Sequence, residues 1–139
     1  MTVKLTPYIT LEGGKTKEAI QFYEQAIGAK VISIVTYGDM PDMPETFNDD
    51  LKSFVANAKV QIGESELMFS DNPWGSPIES GQKVTICITT NEVEQSKRMF
   101  EALQQGGKVN LPFKEESFSP GFGDVTDKFG VTFQIYTEI

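Results

Sequence analysis

EAIQFYEQAIGAKV, residues 18–31, returns in altered form as QSKRMFEALQQGGKV, residues 95–109, and this repetition decides how the rest of the chain is read. In the first copy Ala19, Phe22, Tyr23, Ala26 and Ile27 recur at helical spacing, so one stripe of the helix is apolar and has to be buried. Gly28 ends it. In the second copy Val93, Met99, Phe100 and Leu103 repeat the stripe. Asn91 with Glu94 three residues later predicts a capping box, and Gly106-Gly107 stops the helix. Both helices lead into Lys-Val and a strand-like run, so the chain reads as one unit used twice.

Outward from the first copy, residues 7–11, PYITL, alternate as a short strand, with Glu12-Gly13-Gly14 as its turn and Thr16 as the expected helix cap. Residues 30–37 are rich in β-branched side chains and predict a second strand, ended by Gly38-Asp39. Residues 38–50, GDMPDMPETFNDD, carry two prolines and five acids without a base, which predicts an exposed loop. That loop is either a solvated connection or a lid, with Met40, Met43 and Phe47 as its apolar contacts. Residues 54–62 and 66–70 flank Gly63-Glu64-Ser65 as a hairpin. Residues 71–81, DNPWGSPIESG, read as the linker between halves, and Trp74 in it is a packing plug or a ligand-facing wall.

The second half follows the same order. Residues 84–90 form a strand, the helix follows, and residues 109–113 form a strand that Pro112 confines to a sheet edge. Residues 122–126 and 131–137 pair around Asp127-Lys128-Phe129-Gly130. The expected fold is α+β: a single domain over residues 1–139 containing two βαβββ modules, residues 3–70 and 82–138.

Composition narrows the function. A formal charge of −8 repels phosphate, and no basic cluster offsets it, so nucleic acid is not an expected partner. No apolar run reaches the length of a membrane span, and the first residues, MTVKLTPYIT, lack the apolar core of a signal peptide, so a cytoplasmic protein is expected. The single cysteine, Cys87, cannot form an internal disulfide. The chain has no histidine, which removes the commonest metal ligand and the commonest general base.

Strand alternation divides the side chains into two sets. Ile9, Leu11, Ala56, Ala58, Val60, Ile62, Leu67, Phe69, Val84, Ile86, Ile88, Val131, Phe133 and Ile135 are apolar and suit a core beneath the helices. Tyr8, Thr10, Asn57, Lys59, Gln61, Met68, Ser70, Thr85, Cys87, Thr89, Thr132, Gln134 and Tyr136 stand opposite, polar or aromatic and mostly uncharged. The second set is either the wet face of antiparallel sheets or the lining of a pocket.

The segments PYITLEG, EAIQFYEQAIGAKV, VANAKVQIGESELMFSD, KVNLPF and DKFGVTFQIY span most of the chain. Together they resemble the PhnB-like branch of the vicinal oxygen chelate superfamily, the fold of glyoxalase I, bleomycin-resistance proteins and extradiol dioxygenases. The resemblance implies two βαβββ modules whose mixed sheets form an open cup, with helices on the outer face and the polar set lining the cup. Some members of this branch are described as demethylubiquinone methyltransferases; the sequence reading finds no glycine-rich turn after a strand to seat S-adenosylmethionine and sets that activity aside. In metal-dependent members, His or Glu from each half holds a divalent ion. By spacing, those places fall on Tyr8, Met68, Thr85 and Gln134, and Asn57 stands where close relatives resemble one another in carrying His.

A thioether, a hydroxyl, an amide and a neutral phenol do not make a divalent-ion site in combination. The expectation is therefore no metal and no cofactor. Three functions stay open. One is a small-molecule binding protein using Tyr8, Thr10, Asn57, Met68, Thr85, Gln134 and Tyr136 for an uncharged or weakly cationic ligand. Another is an enzyme, a lyase, isomerase or methyltransferase, drawing on Tyr8, Lys59, Cys87, Tyr136 or the loop acids. The third is a structural or regulatory dimer without ligand. A homodimer is expected in any case, because each half buries little alone and edge strands need covering.

Overall fold

The computed structural model describes residues 6–41, 43–73 and 84–139, which fall into two compact units, Met1–Glu79 and Ser80–Ile139. The first contains β1 (Tyr8–Leu11), α1 (Thr16–Ile27), β2 (Lys30–Thr36), a 3-10 turn (Tyr37–Asp39), α2 (Asp49–Ser53), β3 (Val55–Ile62) and β4 (Ser65–Asp71). The second contains β5 (Ile86–Thr90), α3 (Val93–Leu103), β6 (Lys108–Glu116), β7 (Ser119–Thr126) and β8 (Thr132–Thr137). Each unit folds its strands into one four-stranded mixed sheet, in the orders β1-β4-β3-β2 and β5-β8-β7-β6. In both, the first strand runs parallel to the last and the other pairings are antiparallel. The repeat seen in the sequence is thus a repeat of topology.

Helix formation follows from the apolar stripes. Ala19, Ile20, Tyr23 and Ile27 of α1 are buried, and Tyr23 stacks on Phe69 of β4 with ring centroids 5.7 Å apart. Gly28, at φ 72°, ends α1 in a left-handed conformation that a residue with a Cβ resists. In the second unit Phe100 and Leu103 of α3 join Val125, Phe133 and Ile135 in the core. Gly123 makes room there: a Cβ on it would lie 2.6 Å from the Phe100 ring. Phe113 closes the same space at 5.6 Å from Phe100.

Several expectations need correction. Thr16 does not cap α1. It is the first helical residue, and its amide and hydroxyl both donate to Asp71 Oδ1, at 2.9 and 2.8 Å. Asp71 Oδ2 accepts from the Val55 amide at 2.8 Å, so one carboxylate ties the end of β4 to the starts of α1 and β3. Asp71 is therefore a buried strand residue and not linker; residues 74–81 of that stretch, Trp74 included, lie outside the described residues. Asn91 and Glu94 do not form a capping box either. Thr90 Oγ1 sits at this helix start, accepting from the Glu92 amide at 3.3 Å.

The acidic stretch is not a plain loop. Asn48 Oδ1 accepts from the Leu51 amide and starts α2, and Phe47 is buried edge-on against Tyr37 at 5.8 Å. Phe47 is thus part of its own unit's packing and unavailable as a lid contact. In β3, Thr36 pairs with Val55 and Val35 with Asn57, so Ala56 is the extra residue of a bulge. The bulge puts Val55, and not Ala56, fully in the core. Val84, assigned to the core, lies before β5 and is 85% exposed. The strand containing Pro112 is longer than expected but does lie at the sheet edge. Among the described residues no helix is long and apolar enough to cross a membrane.

Candidate functional site

Each sheet packs against a helix, α1 on β3 and β4 and α3 on β5, β7 and β8, and has a second face turned away from that helix. On that second face of the first unit, Tyr8 of β1 is opposite Met68 of β4, and Thr10 is opposite Ser70. Met68 also neighbours Lys59 of β3, and the Asn57 amide points at its sulfur, Nδ2 to Sδ 3.9 Å. The register thus brings Tyr8, Asn57 and Met68 together, with Thr10 one step along β1. Tyr8 is half exposed, at 50%, while Asn57 and Met68 are partly covered. At the end of the sheet Tyr37 donates its phenol to the Asp71 carbonyl at 3.0 Å. Burial, then the neighbouring Tyr8 and Asp71 charges, raise the Tyr37 pKa above 10.0.

On the equivalent face of the second unit, Gln134 and Tyr136 of β8 are opposite Cys87 and Thr89 of β5. Thr85 precedes β5 and is partly covered. Cys87 is exposed, with its sulfur 3.9 Å from Thr89 Oγ1 and, among the described residues, no base hydrogen-bonded to it. That is not the setting of an activated nucleophile.

The strand beside β8 adds what the sequence reading omitted. Asp124 is opposite Gln134 and Phe122 opposite Tyr136. Asp124 Oδ1 accepts from Asn110 Nδ2 at 2.9 Å, and Asn110 also donates to Thr126 Oγ1 at 3.0 Å. Gln134 Nε2 lies 3.5 Å from Asp124 Oδ2, at the far end of hydrogen-bond range. Thr126 and Thr132 hydroxyls meet at 2.8 Å. Phe118 packs edge-on against Phe122 at 5.1 Å, and Tyr136 Oη is 3.5 Å from the Phe118 carbonyl. The alternation of SPGFGDVT carries the signal: Gly121, Gly123 and Val125 are buried, while Phe122, Asp124 and Thr126 alternate with them on the other side.

Neither metal nor S-adenosylmethionine is matched by this chemistry. Among the described residues no three His, Cys, Asp or Glu side chains cluster, and Tyr8, Met68, Thr85 and Gln134 offer only weak donors to a divalent ion. The β1-to-α1 turn does contain Gly13 and Gly14, both at positive φ. The Phe54 ring fills the space a Cβ on Gly14 would take, 2.5 Å away, and Asp71 occupies the first helical amide. A carboxylate already stands where a ligand's anionic group would bind a helix N-terminus. A concavity lies on the other side of the second sheet. It is an open groove of about 290 Å³ between α3 and β6, floored by Phe100, Pro112 and Phe113 and rimmed by Lys97 and Glu101.

Comparison with known proteins places this geometry in a family. The 3-demethylubiquinone-9 3-methyltransferase family matches residues 3–136. Protein YjdN of Escherichia coli K12 is 33% identical, over 94% of this chain and 92% of its own length. Among solved structures, protein PA1353 from Pseudomonas aeruginosa is 29% identical with a TM-score of 0.81, covering 97% of this chain and 98% of that one. A glyoxylase/bleomycin resistance protein/dioxygenase domain from Frankia shares the fold at a TM-score of 0.69 and 9% identity, over 100% and 99% of the two chains.

Proposed function

The chain belongs to the 3-demethylubiquinone-9 3-methyltransferase family, of glyoxalase/bleomycin-resistance fold, and we propose that it acts as a metal-free protein binding a small organic molecule, uncharged or weakly cationic. The observation that carries this reading is the makeup of the sheet faces turned away from α1 and α3. Tyr8, Thr10, Asn57 and Met68 on one, and Thr85, Gln134 and Tyr136 on the other, supply donors, acceptors and ring faces, with few fixed charges. Ligand sites combine apolar walls with a few placed polar groups, and these faces have both. Catalysis is less well supported. No histidine exists to act as a base, and among the described residues the polar group beside the Cys87 sulfur is the Thr89 hydroxyl.

The test is a titration of binders found by thermal shift, comparing the native chain with Gln134→Leu. Leaving a ligand polar group unmet costs about 1–3 kcal/mol, so affinity should fall roughly tenfold or more with the fold intact. Unchanged affinity in the variant overturns the assignment of this face. Elemental analysis and chelator treatment check the metal-free part: no stoichiometric zinc, nickel or iron, and a melting temperature that chelators leave unmoved. Stoichiometric metal in protein purified without added metal refutes it.

A further inference from the structure

The geometry points to an organic cation, a quaternary or protonated amine, as the ligand of the second sheet's face turned away from α3, with Asp124 as its counter-ion. This rests on the small-molecule reading above and narrows it. The Asp124 carboxylate is partly covered and touched only by neutral amides, Asn110 at 2.9 Å and Gln134 at 3.5 Å. No lysine or arginine among the described residues forms an ion pair with it. Lys114, opposite Phe122, reaches Glu116 at 3.7 Å, and Lys108, opposite Thr126, makes no bridge to Asp124. A partly covered carboxylate that accepts only from neutral amides keeps its negative charge available to a cation.

Aromatic rings stand beside it. Phe122 lies two residues from Asp124 on the same strand and therefore on the same face, roughly 7 Å away along the backbone. Phe118 meets Phe122 edge-on at 5.1 Å, and Tyr136 is the cross-strand neighbour of Phe122. Carboxylate and rings together form the combination that holds alkylammonium groups: the ring faces attract the charge while tolerating its methyl groups, and the carboxylate neutralises it. The chain's net charge of −8 draws cations towards the protein.

The test uses choline and its uncharged carbon isostere, 3,3-dimethylbutan-1-ol, titrated into the full chain at constant ionic strength and followed by amide chemical shifts. Choline should bind about tenfold more tightly than the isostere or better, with shifts centred on Phe122, Asp124 and Tyr136. Asp124→Asn keeps an acceptor for Asn110 and should abolish that preference; Phe122→Leu should weaken choline severalfold, both with native-like spectra. Equal binding of the two probes, or a preference that survives Asp124→Asn, overturns the cation assignment while the small-molecule reading stands. Absence of shifts on this face with either probe counts against both. Should either variant lose its dispersed spectrum, binding of the two probes to the native chain still decides between charge and shape.

Discussion

Asp71 and Asp124 are both aspartates on strands, yet their surroundings separate them. Asp71 is 1% exposed and its oxygens meet three donors, from Thr16 and Val55, so its capacity is spent on joining three elements. Asp124 keeps room for a partner. The second unit does the work of Asp71 with hydroxyls: Thr137 Oγ1 lies 2.7 Å from both Ser96 Oγ and the Gly121 carbonyl, and Ser119 Oγ donates to the Thr137 carbonyl at 2.7 Å. Tyr37 makes a prediction at this scale. Its pKa is raised in the folded chain, so folding holds the phenolic proton, and that contribution is complete below the unfolded value of 10.0 and lost as pH rises through the folded one. Tyr37→Phe should therefore be less stable than the native chain at about pH 8, and the gap should close towards about pH 11. Urea unfolding midpoints at both pH values test this; a gap constant across the range contradicts it.

At the scale of elements, β7 is the least forgiving strand. Gly123 faces the core, where a Cβ would press on the Phe100 ring at 2.6 Å and on the Phe113 backbone at 3.1 Å. Gly123→Ala is expected to cost about 1–3 kcal/mol by overpacking, measurable by urea denaturation; a change within about 0.5 kcal/mol contradicts that packing. β7 also shows what the sequence made legible and what it did not. Helices α1 and α3, the hairpin around Gly63-Glu64-Ser65, and the edge position of Pro112 follow from periodicity and turn chemistry, which act over a few residues, whereas α2 reads as loop. The Thr16 cap failed because its actual partner is distant in sequence, Asp71, 55 residues on, while at α3 the neighbouring Thr90 takes the place expected of Asn91. Val55 displaced Ala56 because a bulge reverses the alternation without any glycine or proline to announce it. Of the proposed binding face, the shared side of the residues on β1, β3, β4 and β8 was readable from alternation alone. Phe122 and Asp124 fall within the strand expected over residues 122–126 but take no face from the sequence, since Gly121 and Gly123 leave little apolar side chain to mark the core side.

For the whole molecule, the two units repeat one topology on a single polar chemistry, and each leaves an apolar edge strand exposed. Val31, Ile32, Ile34 and Val35 of β2 are all about two-fifths exposed or more, as is Leu111 of β6. Such edges invite pairing, and a homodimer is the expected state; a monomeric mass by light scattering at micromolar concentration would refute it. The central claim is that the sheet faces turned away from α1 and α3 bind a small organic molecule. Amide chemical-shift mapping with a mixture of neutral and cationic fragments tests it most directly. Concentration-dependent shifts are expected on the strands carrying Tyr8, Met68, Cys87, Asp124, Gln134 and Tyr136, whereas shifts confined to the α3 and β6 groove around Phe100, Pro112 and Phe113, or none at all, would refute binding at these faces.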